Sequence, residues 1–538
     1  MRKLPRPDWG KREARNSKEI TKDGNQEKRL ETPAHRFRPF THGEFVSSFE
    51  FRVSLVLFAV ALTTAGAQET VVIEKALSVV RVNVTTQAWD FGRPWGKRAP
   101  FSRRAIGAVL AGERVLVTAE LVGNASFVEF EAAGGGQKVP AAVEFVDHEC
   151  NLALLKTEDA TFLKNLQPLE IAPAKIGDQL SVWQLENNGN LLVTHGPMTT
   201  AEVLRYPVDE SPFLVYRLTA QLQFRDTSFP LPVVKGEKLV GLVQRYDNAA
   251  NNADIIPAPV ISHFLKDASA APYDGFPRLG MGYSNTRDPQ LRRYVGMPVG
   301  NGGIYVTDLL PDGPAARAGI EKGDVVLKID GETIDQDGNY NDPQYGRIAL
   351  SHLVGTRHFH GDAMKFDILR KGEKKQLTVS VARRPVESYV IEPYVIDRAP
   401  KFYVLGGLVL QELSRQYLKE WGADWRKKAP EQFVFADAQQ TELFKDGPKK
   451  IVFLSRVLPS EATIGYEEIQ SLIVKKVNGV ALQSLTDLPA ALAKVTDGVH
   501  RIDFDGDPGT IYLDAAQVAE QGAMLAKKYR IPTLQRLE

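Results

Sequence analysis

Two stretches of this chain follow one plan. GIYVTDLLPDGPAARAGIEKGDVVLKIDGETI (303–334) and KIVFLSRVLPSEATIGYEEIQSLIVKKVNGVAL (450–482) each read as a strand, a short helix, a second strand and a two-residue turn. The turns are Asp330-Gly331 and Asn478-Gly479, and Gly319 ends the first helix. Such a repeat requires two similarly folded units in the C-terminal half. The first spans 276–385 and closes with the hairpin FDILRKGEKKQLTVSVARRP (366–385), turning at Lys371-Gly372. The second spans 386–536 and adds an amphipathic helix at 484–495, a hairpin at 500–514 and a terminal helix at 515–531.

The N-terminal half has a different texture. From 70 to 267 it offers short runs rich in Val, Leu and Thr: SVVRVNVTT (78–86), RVLVTAELV (114–122), SFVEFEAA (126–133), LALLKT (152–157), QLSVWQLE (179–186) and KLVGLVQR (238–245). Regular short strands between turn residues predict a barrel or sandwich. A proline-initiated helix is expected at 257–267, then a small-residue linker at 267–277. The 538 residues suit about three or four units. A net charge of +1 excludes a global pull toward nucleic acid or an anionic membrane. One cysteine, Cys150, excludes an intrachain disulfide and reads as a small buried hydrophobe.

Residues 1–45 are charged and without periodicity, so they read as disordered or as an extension ahead of a true start at Val46. Residues 46–67 read as a signal peptide: Arg52, the apolar run VSLVLFAVAL (53–62), then the small-residue site Ala65-Gly66-Ala67. The run is too short to span a bilayer comfortably, so no stable membrane span is expected after cleavage. That places the mature chain in a bacterial periplasm or outside the cell.

The motif GIYVTDLLPDGPAARAGIEKGDVVLKIDG resembles the PDZ domains of the Deg/HtrA family. FYVLGGLVLQEL (402–413), IGYEEIQSLIVKKVNGV (464–480) and AKKYRIP (526–532) look like the second PDZ domain of plant nucleolar-type Deg proteases and bacterial relatives. Residues 70–267 resemble the family's trypsin-like domain. The resemblance implies a mostly β fold, a trypsin-like double β-barrel followed by two PDZ domains, the second degenerate. It also implies a homo-oligomer built on trimers.

A serine protease needs a base, a carboxylate that orients it, and a nucleophile beside an oxyanion hole. The family's histidine motif aligns with LVTAELV, which puts Glu120 at the base. The aspartate motif aligns with HECNLALL, which puts Asn151 at the carboxylate. The serine motif aligns with Thr227-Ser228-Phe229-Pro230-Leu231-Pro232, which puts Phe229 at the nucleophile and leaves Ser228 as the fallback. No working triad is expected, and no cofactor or metal. His148 reads as structural, His195 as a barrel-loop residue, and the pair His358/His360 lacks a third ligand.

The expected partners are therefore protein or peptide C-termini or extended segments, not nucleic acid. PDZ domains add a peptide as a strand and hold its carboxylate in backbone N–H groups. In the first, Arg278-Leu279-Gly280-Met281-Gly282 is the implied loop, with Arg278 drawing the carboxylate and Leu279 and Met281 flanking the pocket. In the second, Val404-Leu405-Gly406-Gly407-Leu408 stands in that place. Three readings compete: a peptide-binding scaffold or holdase, an active serine endopeptidase, and a purely structural subunit.

Overall fold

The computed structural model describes residues 69–71, 78–223, 229–298, 300, 302–440 and 449–538. The expected extension at 1–45, the signal peptide at 46–67 and Ser228 lie outside them.

Seven strands form the first barrel sheet, in the order Lys138–Pro140, Ala125–Glu131, Val79–Thr86, Phe101–Leu110, Arg114–Val117, Leu152–Lys156 and Ala142–Asp147. Val79, Val80, Val82 and Val84 are buried, and so is the one charged residue among them, Arg81. Its guanidinium donates to the Ala133 carbonyl and to the carbonyls of Glu186 and Asn187, while Glu131 lies 3.9 Å away. A buried arginine stays charged, so these acceptors tie the first barrel to the second. The run 114–122 was expected as one strand, but it stops at Val117 and turns into the short helix Ala119–Val122. The Asn151 side chain accepts the Glu120 N–H at 2.9 Å and so satisfies one orphan donor of that helix.

The second barrel is a closed ring. Leu191–Arg205, Gln179–Leu185, Leu231–Lys235, Lys238–Asp247, Asn252–Pro257 and Pro212–Thr219 pair in sequence, and the last pairs back to the first. Gly241 is needed inside it: a Cβ there would sit 2.3 Å from the Ile256 carbonyl oxygen. The predicted helix follows as Ala258–Ala268.

The two PDZ sheets repeat one order. In the first it is Met281–Ser284, Ile304–Leu309, Val325–Ile329, Ala363–Arg370, Glu373–Ser380. In the second, Leu408–Glu412, Val452–Val457, Leu472–Val477, Val499–Asp505 and Thr510–Asp514 occupy the same places, with Phe402–Leu405 and Gln535–Arg536 added outside Leu408–Glu412. Asp330-Gly331, Lys371-Gly372 and Asn478-Gly479 all have positive φ at both residues, the twist a tight hairpin requires. The helix expected over 484–495 is shorter: a turn of 3₁₀ at Leu485–Asp487, then Leu488–Leu492. The chain is reversed soon after, at Asp497 and Gly498, both with positive φ. The terminal helix runs Ala515–Tyr529 and ends at left-handed Arg530.

The expected linker at 267–277 is packed rather than loose. Gly275 N–H donates to the Asp267 carboxylate, Tyr273 Oη donates to Asp147, and Phe276 is buried. The Phe276 ring stacks on His263 at 4.2 Å and meets Phe213 edge-on at 4.8 Å. Phe359 stacks on the other face of His263 at 4.0 Å. One apolar core thus runs from the second barrel into the first PDZ domain, taking in Val233, Phe264, Ile304 and Val381.

Charge joins the same parts. Glu149, 3% exposed, accepts from Arg278 at 2.8 Å and Arg383 at 3.2 Å. Burial works against its ionised form, but the two guanidinium groups outweigh that and hold its pKa below the ordinary value. Arg278 also donates to Ser211 Oγ and lies 3.6 Å from Asp209. Asp209 fares differently: burial, with Glu149 adding and Arg278 opposing, pushes its pKa from 3.8 up to about 6.

Gly241→Ala should cost about 2 kcal/mol or more, because the clash is with backbone; thermal unfolding measures it. Asp209 gives a pH signature. Between its ordinary value of 3.8 and about 6 the folded chain keeps a proton that the unfolded chain has released. Its contribution to stability is therefore full below pH 3.8 and lost as pH rises through about 6. Asp209→Asn removes this loss, so the variant should gain on the parent from pH 4.5 to pH 7, by up to about 2 kcal/mol. A difference in unfolding midpoint that stays flat over that range would contradict this account.

Candidate functional site

Glu120 opens the helix Ala119–Val122 and its side chain is exposed. Its carbonyl accepts from Arg103 Nη2 at 2.6 Å. Asn151 is fully buried at φ 56°, a left-handed conformation that asparagine tolerates. Its oxygen takes the Glu120 N–H, and its nitrogen donates to Gln244 Oε1 at 3.3 Å. Both ends of the amide are therefore engaged between the two barrels. Phe229 is half-buried and packs on the core shared by the second barrel and the first PDZ domain.

Among the described residues a serine–histidine pair lies elsewhere. Ser181 Oγ and His195 Nδ1 are 2.9 Å apart as direct cross-strand partners on the second barrel. Among the described residues no carboxylate forms an ion pair with His195. His148 Nε2 meets Asp397 at 3.2 Å, and its ring packs edge-on against Tyr394, so it fastens the chain after the first PDZ domain to the first barrel. His358 bonds Asp330 and the Leu353 carbonyl, whereas His360 accepts the Arg383 N–H, so the two are not aimed at one point. Among the described residues no cluster of three potential metal ligands occurs. Cys150 is buried, and burial pushes its thiol pKa well up.

The cavity of interest lies at the first PDZ domain. It measures about 980 Å³ and is lined by Leu279, Gly280, Met281 and Val354 among others. Gly280 has φ 66°. A Cβ there would stand 3.4 Å from Gly313 Cα and Pro314 Cδ, so loop and helix Pro314–Arg317 abut. The Leu279 and Gly280 carbonyls accept from Ala315 and Leu310, so what this loop has to offer a ligand is N–H. Met281–Ser284, which follows, is an edge strand among the described residues. Edge strand, loop and helix Leu350–Gly355 make the groove into which an extended peptide can add.

Arg278 lines this cavity, but its guanidinium turns to Glu149, Ser211 and Asp209. The Glu149 and Asp209 carboxylates outweigh the cost of burial and raise its pKa, so its charge is already balanced inside the protein. It positions the loop rather than meeting a carboxylate.

The second PDZ domain differs. Its matching strand Leu408–Glu412 has neighbours on both sides, Val452–Val457 and Phe402–Leu405. The implied loop Gly406-Gly407 is the turn of that hairpin, and its carbonyls are held by Ser460 Oγ and Leu458 N–H. The edge open in the first domain is filled by the chain itself in the second.

Sequence reasoning missed two features. One is the aromatic loop ahead of Phe101: Phe91 and Trp95 enter the second PDZ core, and Trp89 stacks under Arg536 at 4.5 Å. Three aromatics in a Gly- and Pro-containing loop were the available signal. The other is the outer wall of the groove, made by Arg205 and Phe213 on one hairpin of the second barrel and by the distant Arg384, which carry no local mark.

Residues 277–381 and 391–535 each match the PDZ domain family. "Protease Do-like 2, chloroplastic" of Arabidopsis thaliana is 27% identical over 463 residues, 85% of this chain and 74% of that protein. "Protease Do-like 4, mitochondrial" of the same plant is 25% identical over 466 residues, 85% and 84%. The solved "HtrA-type protease AlgW with decapeptide" aligns with a TM-score of 0.44 and 19% identity, covering 58% of this chain and 97% of that one. A strand-rich pair of barrels followed by two PDZ domains, together with the two plant relatives, supports the Deg/HtrA family with a trypsin-like domain.

Proposed function

We propose that this chain is an exported pseudoprotease that binds peptide C-termini in its first PDZ groove, acting as a scaffold or chaperone-like holder. The observation that carries the reading is the Asn151 amide, engaged by the Glu120 N–H and Gln244. An amide cannot carry the negative charge that stabilises an imidazolium, and no imidazole stands at Glu120 to need it. A surface glutamate without a relay partner is a poor base for a serine hydroxyl. With Phe229 at the implied nucleophile, the usual acyl-transfer chemistry has none of its three groups. Assembly as a homo-oligomer and export by the 46–67 segment belong to the same proposal. Among the described residues no helix is long and apolar enough to cross a membrane.

Purified chain should not cleave β-casein above background; turnover blocked by a serine-protease inhibitor would establish the competing reading, an endopeptidase with a non-standard site. A fluorescent peptide with a free apolar C-terminus should bind, and its amide should not. Gly280→Glu should weaken that binding by about tenfold or more, since it sets a charge against the carboxylate in a left-handed position. Thermal unfolding of the variant checks that the domain remains folded. Undiminished binding would move the site away from this groove.

A further inference from the structure

We propose that the groove beside Gly280 selects peptides carrying acidic side chains just upstream of a free C-terminal carboxylate. This rests on the reading of the groove as a peptide site and names the chemistry that fills it.

The cavity wall is strongly biased in charge. Arg205, Arg278, Arg317, Arg383 and Arg384 line it, against the single carboxylate Asp312. Two of the five are already matched: Glu149 takes both Arg278 and Arg383. The partners found for Arg205 and Arg317 are neutral. Arg205 Nη1 donates to the Glu210 carbonyl at 3.3 Å, and Arg317 Nη1 to the Asp312 carbonyl. Both side chains are exposed, so the charge reaches the cavity mouth. Arg384 stacks on the Tyr389 ring at 3.5 Å and reaches Ser388 Oγ, which holds its guanidinium flat against the strap at 383–389.

These residues stand on separate walls. Arg205 ends a strand of the second barrel, Arg317 ends the helix that abuts the Gly280 loop, and Arg384 lies on the strap. A peptide added along Met281–Ser284 would run between them. Its terminal carboxylate has the loop N–H groups, and an apolar last side chain has Leu279, Met281 and Val354. What remains for the guanidinium groups is the side chains that precede the terminus. Arginine suits carboxylates there because its planar fork can bind both oxygens. A lysine-bearing peptide would bring like charge into the same space.

The test is fluorescence anisotropy on the full chain with four decapeptides ending in valine. Three have a free carboxylate and Glu, Gln or Lys at the third to sixth positions from the end; the fourth is the Glu peptide amidated. At 50 mM NaCl the Glu peptide should bind about tenfold or more tighter than the Lys peptide, and the gap should contract at 500 mM NaCl. Arg205→Gln and Arg317→Gln should each weaken the Glu peptide about three- to fivefold and leave the Gln peptide within about twofold. Equal binding of the three free-carboxylate peptides, or preference for Lys, overturns the acidic selectivity but leaves the groove as a peptide site. Selectivity that survives both arginine substitutions also overturns it, since the charge would then come from elsewhere. No binding by any peptide, or binding indifferent to amidation, removes the peptide site itself and the selectivity with it.

Discussion

Glu149 is the joint on which the arrangement of this protein depends. One carboxylate on the first barrel holds Arg278, at the entry to the first PDZ domain, and Arg383, at its exit. Such a group is safe only while both partners are present. A buried carboxylate that loses them carries a penalty of several kcal/mol, whereas the intact cluster adds little net stability over an apolar contact. Its contribution is geometric: it fixes where the Gly280 loop lies relative to the barrels. It also lies two residues from Asn151, so the turn that carries the Asn151 amide and the cavity beside Gly280 are held by one short piece of chain.

The two PDZ domains show how one sequence plan diverges in use. Both keep the strand order and the tight turns of their repeat. In the first, the strand after the glycine loop is an edge among the described residues; in the second, that edge is closed by Phe402–Leu405. In the second domain adjacent glycines, Gly406 and Gly407, follow the apolar strand Phe402–Leu405 and form the turn of a hairpin, and the domain is anchored to the second barrel. Lys419, Arg415 and Arg426 grip the turn at Val208, Asp209 and Glu210, and Phe91 fills the core between its helices.

Much of this was legible in the sequence for local reasons. Alternation of apolar and polar residues marked the strands, and the three X-Gly turns carried the positive φ that their residues favour. The flanks of Glu120 and Asn151 resemble a family motif, LVTAELV and HECNLALL. What was not legible is tertiary. The helices Arg415–Leu418, Trp425–Lys428 and Glu431–Ala438 have no clear apolar face of their own; Trp425 and Phe433 are buried by Tyr417, Phe453 and the distant Phe91. The strand expected at 114–122 broke because a side chain at 151 captured a backbone donor at 120. The role expected of Arg278 changed because Glu149 and Asp209 reach it from another domain.

The continuous core between the second barrel and the first PDZ domain bears on biogenesis. A ribosome delivers the barrel's last strand, Asn252–Pro257, well before Val379 and Val381, which belong to the same continuous core. Until then Phe213, Phe264 and Phe276 lack part of their cover. The nascent barrel must therefore wait for more than a hundred residues of further chain before it is sealed, a window of stickiness during elongation that an autonomous protease domain would not face.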